Sequence, residues 1–147
     1  MITYADASFI ASLYLQETHS ALAAEQIQKN DGNIVVSSLC AFEVINAIEL
    51  RAFRKERTPT EVSDSIDAFN ADLKAGTFLS VPVPPLAWDT ALKLSRLHTP
   101  KLGTRSLDIL HVATALAIKA SAFATFDQNQ AQLARLAGLT VRPRAVS

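Results

Sequence analysis

Four carboxylates stand where hydropathy patterning leaves little room for charge: Asp6, Glu43, Asp108 and Asp127. Asp6 follows the short run Ile2-Thr3-Tyr4-Ala5, and Asp127 follows a second such run, Ala122-Phe123-Ala124-Thr125. Glu43 interrupts a helical stripe of Leu39, Cys40, Ala47 and Leu50, and Asp108 opens a nearly all-apolar segment. Two carboxylates about 4 Å apart at an effective dielectric of about 20 repel by about 4 kcal/mol, so four of them converge only with compensation. No Lys or Arg adjoins any of the four; the nearest in sequence is Arg105. Oxygen-only ligands at helix and strand ends suit a hard divalent cation such as Mg²⁺ or Mn²⁺, one or two ions. Cys40, His19, His98 and His111 lack the spacing of a zinc site.

Each acid also has a plain structural reading. Asp6 and Asp127 fit as N-caps or Asx-turn residues between strand and helix. Asp108 lies two residues after Ser106, a fitting N-cap, and an acid in a helix's first turn is favoured by the dipole. Glu43, on a mostly apolar stripe, has to be paired, protonated or metal-bound; Asn46, one turn on, is within reach as a partner. His111 sits among apolar neighbours and reads as a satisfied structural histidine rather than a general base.

The elements that must position these groups alternate between strand and helix. Strands are expected at Ile2–Ala5, Ile34–Ser37, Phe78–Val81 and Ala122–Thr125, with an edge strand at Leu139–Val141. Helices are expected near Ser8–Leu15, Thr18–Lys29, Ser38–Lys55, Leu86–His98, Leu107–Ala120 and Asn129–Ala137. Thr58-Pro59-Thr60-Glu61 has the form of a capping box with Pro at the first helical position, and the helix it opens stops at Gly76. This alternation implies an α/β fold with a central, mostly parallel sheet of four to five strands and helices on both faces. Ligands of such sheets bind outside the carboxyl ends of the strands, where Asp6 and Asp127 fall.

A chain of 147 residues, 49% hydrophobic, is the size of a single domain, here 1–147, with a real core. It opens directly on a strand-like segment and its longest apolar stretch, Ile109 to Ile118, is too short to span a bilayer, so a cytoplasmic protein without membrane contact is expected. The lone Cys40 excludes an internal disulfide and fits a reducing compartment. Fourteen basic and fourteen acidic residues balance, which argues against a surface devoted to nucleic acid. With the four acids neutralised by metal, the remainder carries +4.

The segments Tyr4-Ala5-Asp6-Ala7-Ser8, Ser38-Leu39-Cys40-Ala41-Phe42-Glu43-Val44-Ile45-Asn46-Ala47, Arg105-Ser106-Leu107-Asp108-Ile109-Leu110-His111-Val112-Ala113-Thr114-Ala115 and Ala124-Thr125-Phe126-Asp127 are ordered and spaced as in the PIN-domain ribonucleases. Within them the chain resembles the VapC-type toxins of toxin–antitoxin pairs, along essentially its whole length. The resemblance implies a PIN-like fold and a metal-dependent endoribonuclease. Asp6 and Asp108 would be the principal metal ligands, and Glu43 and Asp127 would complete the catalytic pocket, partly through water. Ser8 and Thr125 match supporting hydroxyl positions. The expected reaction is RNA phosphodiester hydrolysis by metal-activated water, leaving 5′-phosphate and 3′-hydroxyl ends. The resemblance further implies a homodimer and a small cognate antitoxin that blocks the pocket and itself carries the DNA-binding domain; this chain has no element for sequence-specific DNA reading.

Substrate phosphates are expected on the acid-free stretch of Lys93, Arg96, His98, Lys101 and Arg105, with Arg105 and Lys101 the leading candidates; a solvated basic loop explains the same residues. Arg51, Arg54, Lys55 and Arg57 need no ligand, since cations suit a helix C-terminus. Two apolar runs, Leu39-Phe42-Ile45-Phe53 and Ile66-Phe69-Leu73, offer either core or interface. Two other functions compete with the toxin reading. One is a PIN-type nuclease of RNA processing or structured DNA. The other is a non-enzymatic phosphoryl-acceptor module, which normally pairs acids after the first strand and places a lysine after the last; this chain does neither.

Overall fold

The computed structural model describes residues 1–144; the last three positions of the domain expected over 1–147 lie outside the described residues. In chain order the elements are β1 (Ile2–Ala5), α1 (Ala7–Tyr14), α2 (Ser20–Lys29), β2 (Asn33–Ser37), α3 (Ser38–Phe53), α4 (Pro59–Ala75), β3 (Leu79–Val81), α5 (Pro85–Leu102), α6 (Ser106–Ala117), β4 (Ala122–Ala124), α7 (Gln128–Leu136) and β5 (Thr140–Arg142). The five strands form one sheet in the order β3-β2-β1-β4-β5, and every pairing is parallel. A sheet covered on both faces accounts for strands such as β1 and β4 that are apolar along their length.

Side-chain alternation divides the core between the two faces. Ala5, Val36 and Ala124 point to one side, against Phe9, Ile10, Val44, Ile48 and Phe69 of α1, α3 and α4. Tyr4, Phe123 and Val141 point to the other, against Leu94, Val112 and Leu133 of α5, α6 and α7. Of the two apolar runs, the α4 run packs inward around the fully buried Phe69, whereas Phe42 and Phe53 of α3 are 68% and 83% exposed.

From β1 the chain crosses to β2 on one side, while from β4 it crosses to β5 on the other. The crevice between outgoing connections therefore opens at the carboxyl ends of β1 and β4. Their register pairs Ala5 with Ala124, and the Asp6 N–H donates to the Ala124 carbonyl at 3.0 Å. That brings Asp6 level with Thr125, two residues short of Asp127.

Several boundaries differ from sequence expectation, those of α5, α6 and β5 among them. The helix α5 continues to Leu102, through Pro100, rather than stopping at His98. Pro100 removes the N–H that would pair with the Arg96 carbonyl and crowds that carbonyl, a cost confined to the last turn of the helix. Gly103 then ends the helix in the left-handed region, φ 62°, its N–H donating to the Thr99 carbonyl at 2.8 Å. Lys101 thus belongs to a helical turn, not a loop. The N-cap of α6 is Arg105, not Ser106, without a side-chain cap bond. Strand β5 is shifted one residue later, to Thr140–Arg142.

Candidate functional site

Asp6 is 4% exposed and caps α1. Its Oδ1 accepts from the Phe9 N–H at 3.0 Å and from Ser8 Oγ at 2.7 Å; its Oδ2 accepts from Thr125 Oγ1 at 2.5 Å. Burial pushes the Asp6 carboxyl above its ordinary proton affinity, and the three donors oppose that shift. The same hydroxyls tie the two strand ends together: Ser8 Oγ accepts from the Phe126 N–H at 3.0 Å, Thr125 Oγ1 accepts from the Asp127 N–H at 3.0 Å, and the two hydroxyls lie 3.2 Å apart.

Asp127 divides its two oxygens in the same manner. Oδ1 caps α7, accepting from the Asn129 and Gln130 N–H groups at 2.9 and 3.1 Å, which leaves Oδ2 facing the site. The structural reading of both strand-end acids holds, and capping fixes each carboxylate while using only part of its acceptor capacity.

Asp108 stands in the first turn of α6, and there the compensating charge appears. Arg105 reaches forward one turn, Nε to Asp108 Oδ2 at 3.1 Å, and across to Asp127 Oδ2 with its terminal nitrogen at 3.4 Å. The guanidinium is 71% exposed and holds its proton more tightly than usual, first through its bond to Asp108 and then through both charges. Arg105 thus sits on the acids rather than standing apart from them. Lys101 is exposed and makes no ion pair among the described residues.

Glu43 finds its partner across the sheet end, not on its own helix. The expected neighbour Asn46 is exposed, and Glu43 bonds instead to His111 Nε2. His111 is buried, and its Nδ1 lies 2.7 Å from the Tyr4 hydroxyl, which lies 2.8 Å from Ser37 Oγ. Donor directions follow from the ends of this chain. Glu43 as a carboxylate only accepts, so Nε2 carries hydrogen, and in the neutral imidazole Nδ1 accepts from Tyr4. Burial raises the Tyr4 phenol further above its ordinary range, keeping it a neutral donor. Ser37 in turn caps α3, accepting from the Cys40 N–H at 3.0 Å. His111 is thus buried and hydrogen-bonded through both ring nitrogens, and it orients the Glu43 side chain. The available sequence signal was its spacing: three residues after Asp108, it lies on the same helix face.

No three His, Cys, Asp or Glu side chains among the described residues stand close enough to hold an ion between them. The acids are compensated separately: Asp6 by hydroxyls and an N–H, Glu43 by His111, Asp108 and Asp127 by Arg105. The donor set nonetheless fits Mg²⁺ or Mn²⁺. It is all oxygen, a cation already bridges two members, and a hard ion that keeps its waters needs only one or two direct carboxylates.

Beside the acids opens a cavity of about 550 Å³, bordered by Ser8, Glu43, Asp127, His19, Asn46 and Phe126 among others. Arg51 also lines it, paired with Glu17 at 2.6 Å and Glu56 at 3.3 Å.

Residues 3–136 match the family model described as PIN domain. No curated protein matches the chain in sequence. Among solved structures it is similar to VapC20 of Mycobacterium tuberculosis, described as a sarcin-ricin loop cleaving toxin, with TM-score 0.69 and 15% identity over 96% of this chain and 99% of that one. It is also similar to VapBC-1 of nontypeable Haemophilus influenzae, with TM-score 0.68 and 18% identity over 97% of each chain. A third likeness is VapBC2 of Rickettsia felis bound to a promoter DNA fragment, with TM-score 0.67 and 15% identity over 97% of this chain and 98% of that one.

Proposed function

The chain belongs to the PIN domain family, and from that premise we propose that it is a metal-dependent endoribonuclease of the VapC type, the toxin of a toxin–antitoxin pair. The observation that carries the reading is Asp108 and Asp127, from separate parts of the chain, spanned by one exposed cation, Arg105, at the edge of the sheet where the chain leaves β1 and β4 and where Asp6 also stands.

In this reading Asp6 and Asp108 hold the metal, and Glu43 and Asp127 complete the pocket. A bound Mg²⁺ or Mn²⁺ supplies Lewis-acid stabilisation of charge at phosphorus and a water activated for in-line attack. The chain's own groups do the positioning. Ser8 and Thr125 fix both oxygens of Asp6, and the Tyr4–His111 pair fixes the rotamer of Glu43. With an ion held by these acids, Arg105, 71% exposed, would be available to a substrate phosphate, two of whose oxygens its planar guanidinium can bind side by side.

Partners follow from the same reading: an RNA substrate, a small antitoxin and a second copy of the chain. The complexes named for the Haemophilus and Rickettsia neighbours support the antitoxin. The exposed Phe42, Phe53, Trp88 and Leu92 supply apolar surface for protein contacts. No described helix is long and apolar enough to cross a membrane.

The test is cleavage of structured and single-stranded RNAs by purified, antitoxin-free protein with Mg²⁺, Mn²⁺ or EDTA, beside Asp108→Asn. Cutting that requires metal and is lost in the variant is the expected result. Cutting that persists in EDTA, or in the folded variant, sinks the proposal.

A further inference from the structure

We propose that the cavity beside the acids is a subsite for one unpaired nucleobase of the RNA, held against the ring of His19, which Phe126 backs. The inference rests on the nuclease reading and adds to it a place where sequence would be read.

Three near-parallel rings lead from the core to the cavity wall. Phe9, 1% exposed, stacks on Phe126 with centroids 5.5 Å apart and planes at 18°. Phe126 stacks on His19 with centroids 4.3 Å apart and planes at 6°. The inner ring is anchored by the core and the Phe126 backbone by its N–H bond to Ser8, so the outer face of His19 is a flat surface backed by rings fixed relative to the acids. Single-stranded RNA is recognised by splaying bases onto such surfaces, His included. Asn46 borders the same cavity and brings a donor and an acceptor to a base edge. A volume of about 550 Å³ lies within the usual range of ligand pockets, about 300–1,000 Å³.

Charge selects the base over the phosphate. The one guanidinium on the cavity wall, Arg51, is occupied by Glu17 and Glu56, while Glu43 and Asp127 leave the inner end negative. Without metal that end repels a phosphate but not a neutral ring, and with metal the phosphate is drawn to the ion, which leaves the outer wall to the ring. An arginine from a protein partner is the competing occupant, since it too stacks on rings and is drawn by carboxylates.

The experiment uses full-length Asp108→Asn protein, which holds RNA without cutting, and compares binding of a randomised single-stranded RNA pool with an abasic oligomer of equal length. His19→Ala and His19→Trp are then made in the same background. His19 precedes α2 without a side-chain cap bond, so neither change threatens the helix. Stacking on one aromatic is worth about 1–3 kcal/mol, so the pool should bind about 5- to 150-fold more tightly than the abasic oligomer. His19→Ala should erase much of that ratio and His19→Trp should restore it. Equal binding of both oligomers overturns the subsite. So does an unchanged ratio in His19→Ala, including the case where that variant loses affinity only for an arginine-rich peptide. Cleavage by the parent protein separates the two levels: a parent that cuts while the ratio is absent removes the subsite alone, and a folded parent that cuts no RNA removes both.

Discussion

Asp6 is asked to be two things, a helix cap and an ionised ligand, and its burial makes the second costly in the absence of metal. Asn at an N-cap is as favourable as Asp and keeps a carbonyl oxygen for the Phe9 N–H. Its amide can donate to Thr125 Oγ1 where Asp6 Oδ2 accepted. Asp6→Asn should therefore abolish cleavage while leaving the metal-free fold equally or more stable, as thermal melts in EDTA will show. A variant that unfolds while the parent stays folded would make the negative charge itself structural. Gln130 presents the opposite case. It is 1% exposed, and neither side-chain amide atom has a hydrogen-bond partner. Unsatisfied buried polar groups cost about 1–3 kcal/mol, and Met nearly conserves the volume. Gln130→Met should raise the melting temperature without changing cleavage, and a lower melting temperature would show that the amide is satisfied after all.

At the scale of elements, α4 offers a test with a defined pH sign. Its N-cap box is complete: the Glu61 N–H donates to Thr58 Oγ1 at 3.1 Å, and the Thr58 N–H donates to Glu61 Oε1 at 3.0 Å. That backbone bond is the first cause that lowers the Glu61 carboxyl below 4.5. A carboxyl depressed on folding contributes stability that is fully present above its unfolded value and is lost as pH falls through the folded one. The Glu61 contribution should therefore begin to fall below about pH 4.5 and be lost as pH passes through the lower folded value, and Glu61→Gln, which keeps the box, should flatten the acid limb of the melting curve. Thr58→Ala should cost about 1 kcal/mol at neutral pH, and a melt matching the parent would exclude the cap's role. This box was legible in the sequence because all its parts lie within four residues. So were the strand order of acids and helices and the caps of α1 and α7. The pairing of Glu43 with His111 was not, because 68 residues separate them and only the closure of β1 against both neighbours brings α3 and α6 together. The continuation of α5 through Pro100 was hidden for another reason: local propensity opposes it, and the Gly103 cap and the packing of α5 on α6 override it.

At the scale of the whole molecule, the sheet brings together charges that repel, and Arg105 is the fold's own counter-ion for two of them. An ion that binds the folded chain alone stabilises it by about 2.7 kcal/mol at a hundred times its dissociation constant. For a chain of this size that is a rise of about 5–10 °C in the melting temperature. Mg²⁺ or Mn²⁺ should give such a rise in the parent and little in Asp108→Asn. Arg105→Gln separates substitution of one cation by another from simple addition. Without the guanidinium, Asp108 and Asp127 face each other uncompensated, so the metal-free protein should melt lower than the parent. The ion no longer has to displace a resident charge, so its affinity should be higher and the metal-induced rise larger. Cleavage should still fall, because the same side chain is then missing from the substrate phosphate. If Arg105→Gln instead weakens metal binding, the guanidinium holds the acids in place for the ion, and exchange of Arg105 for metal is wrong.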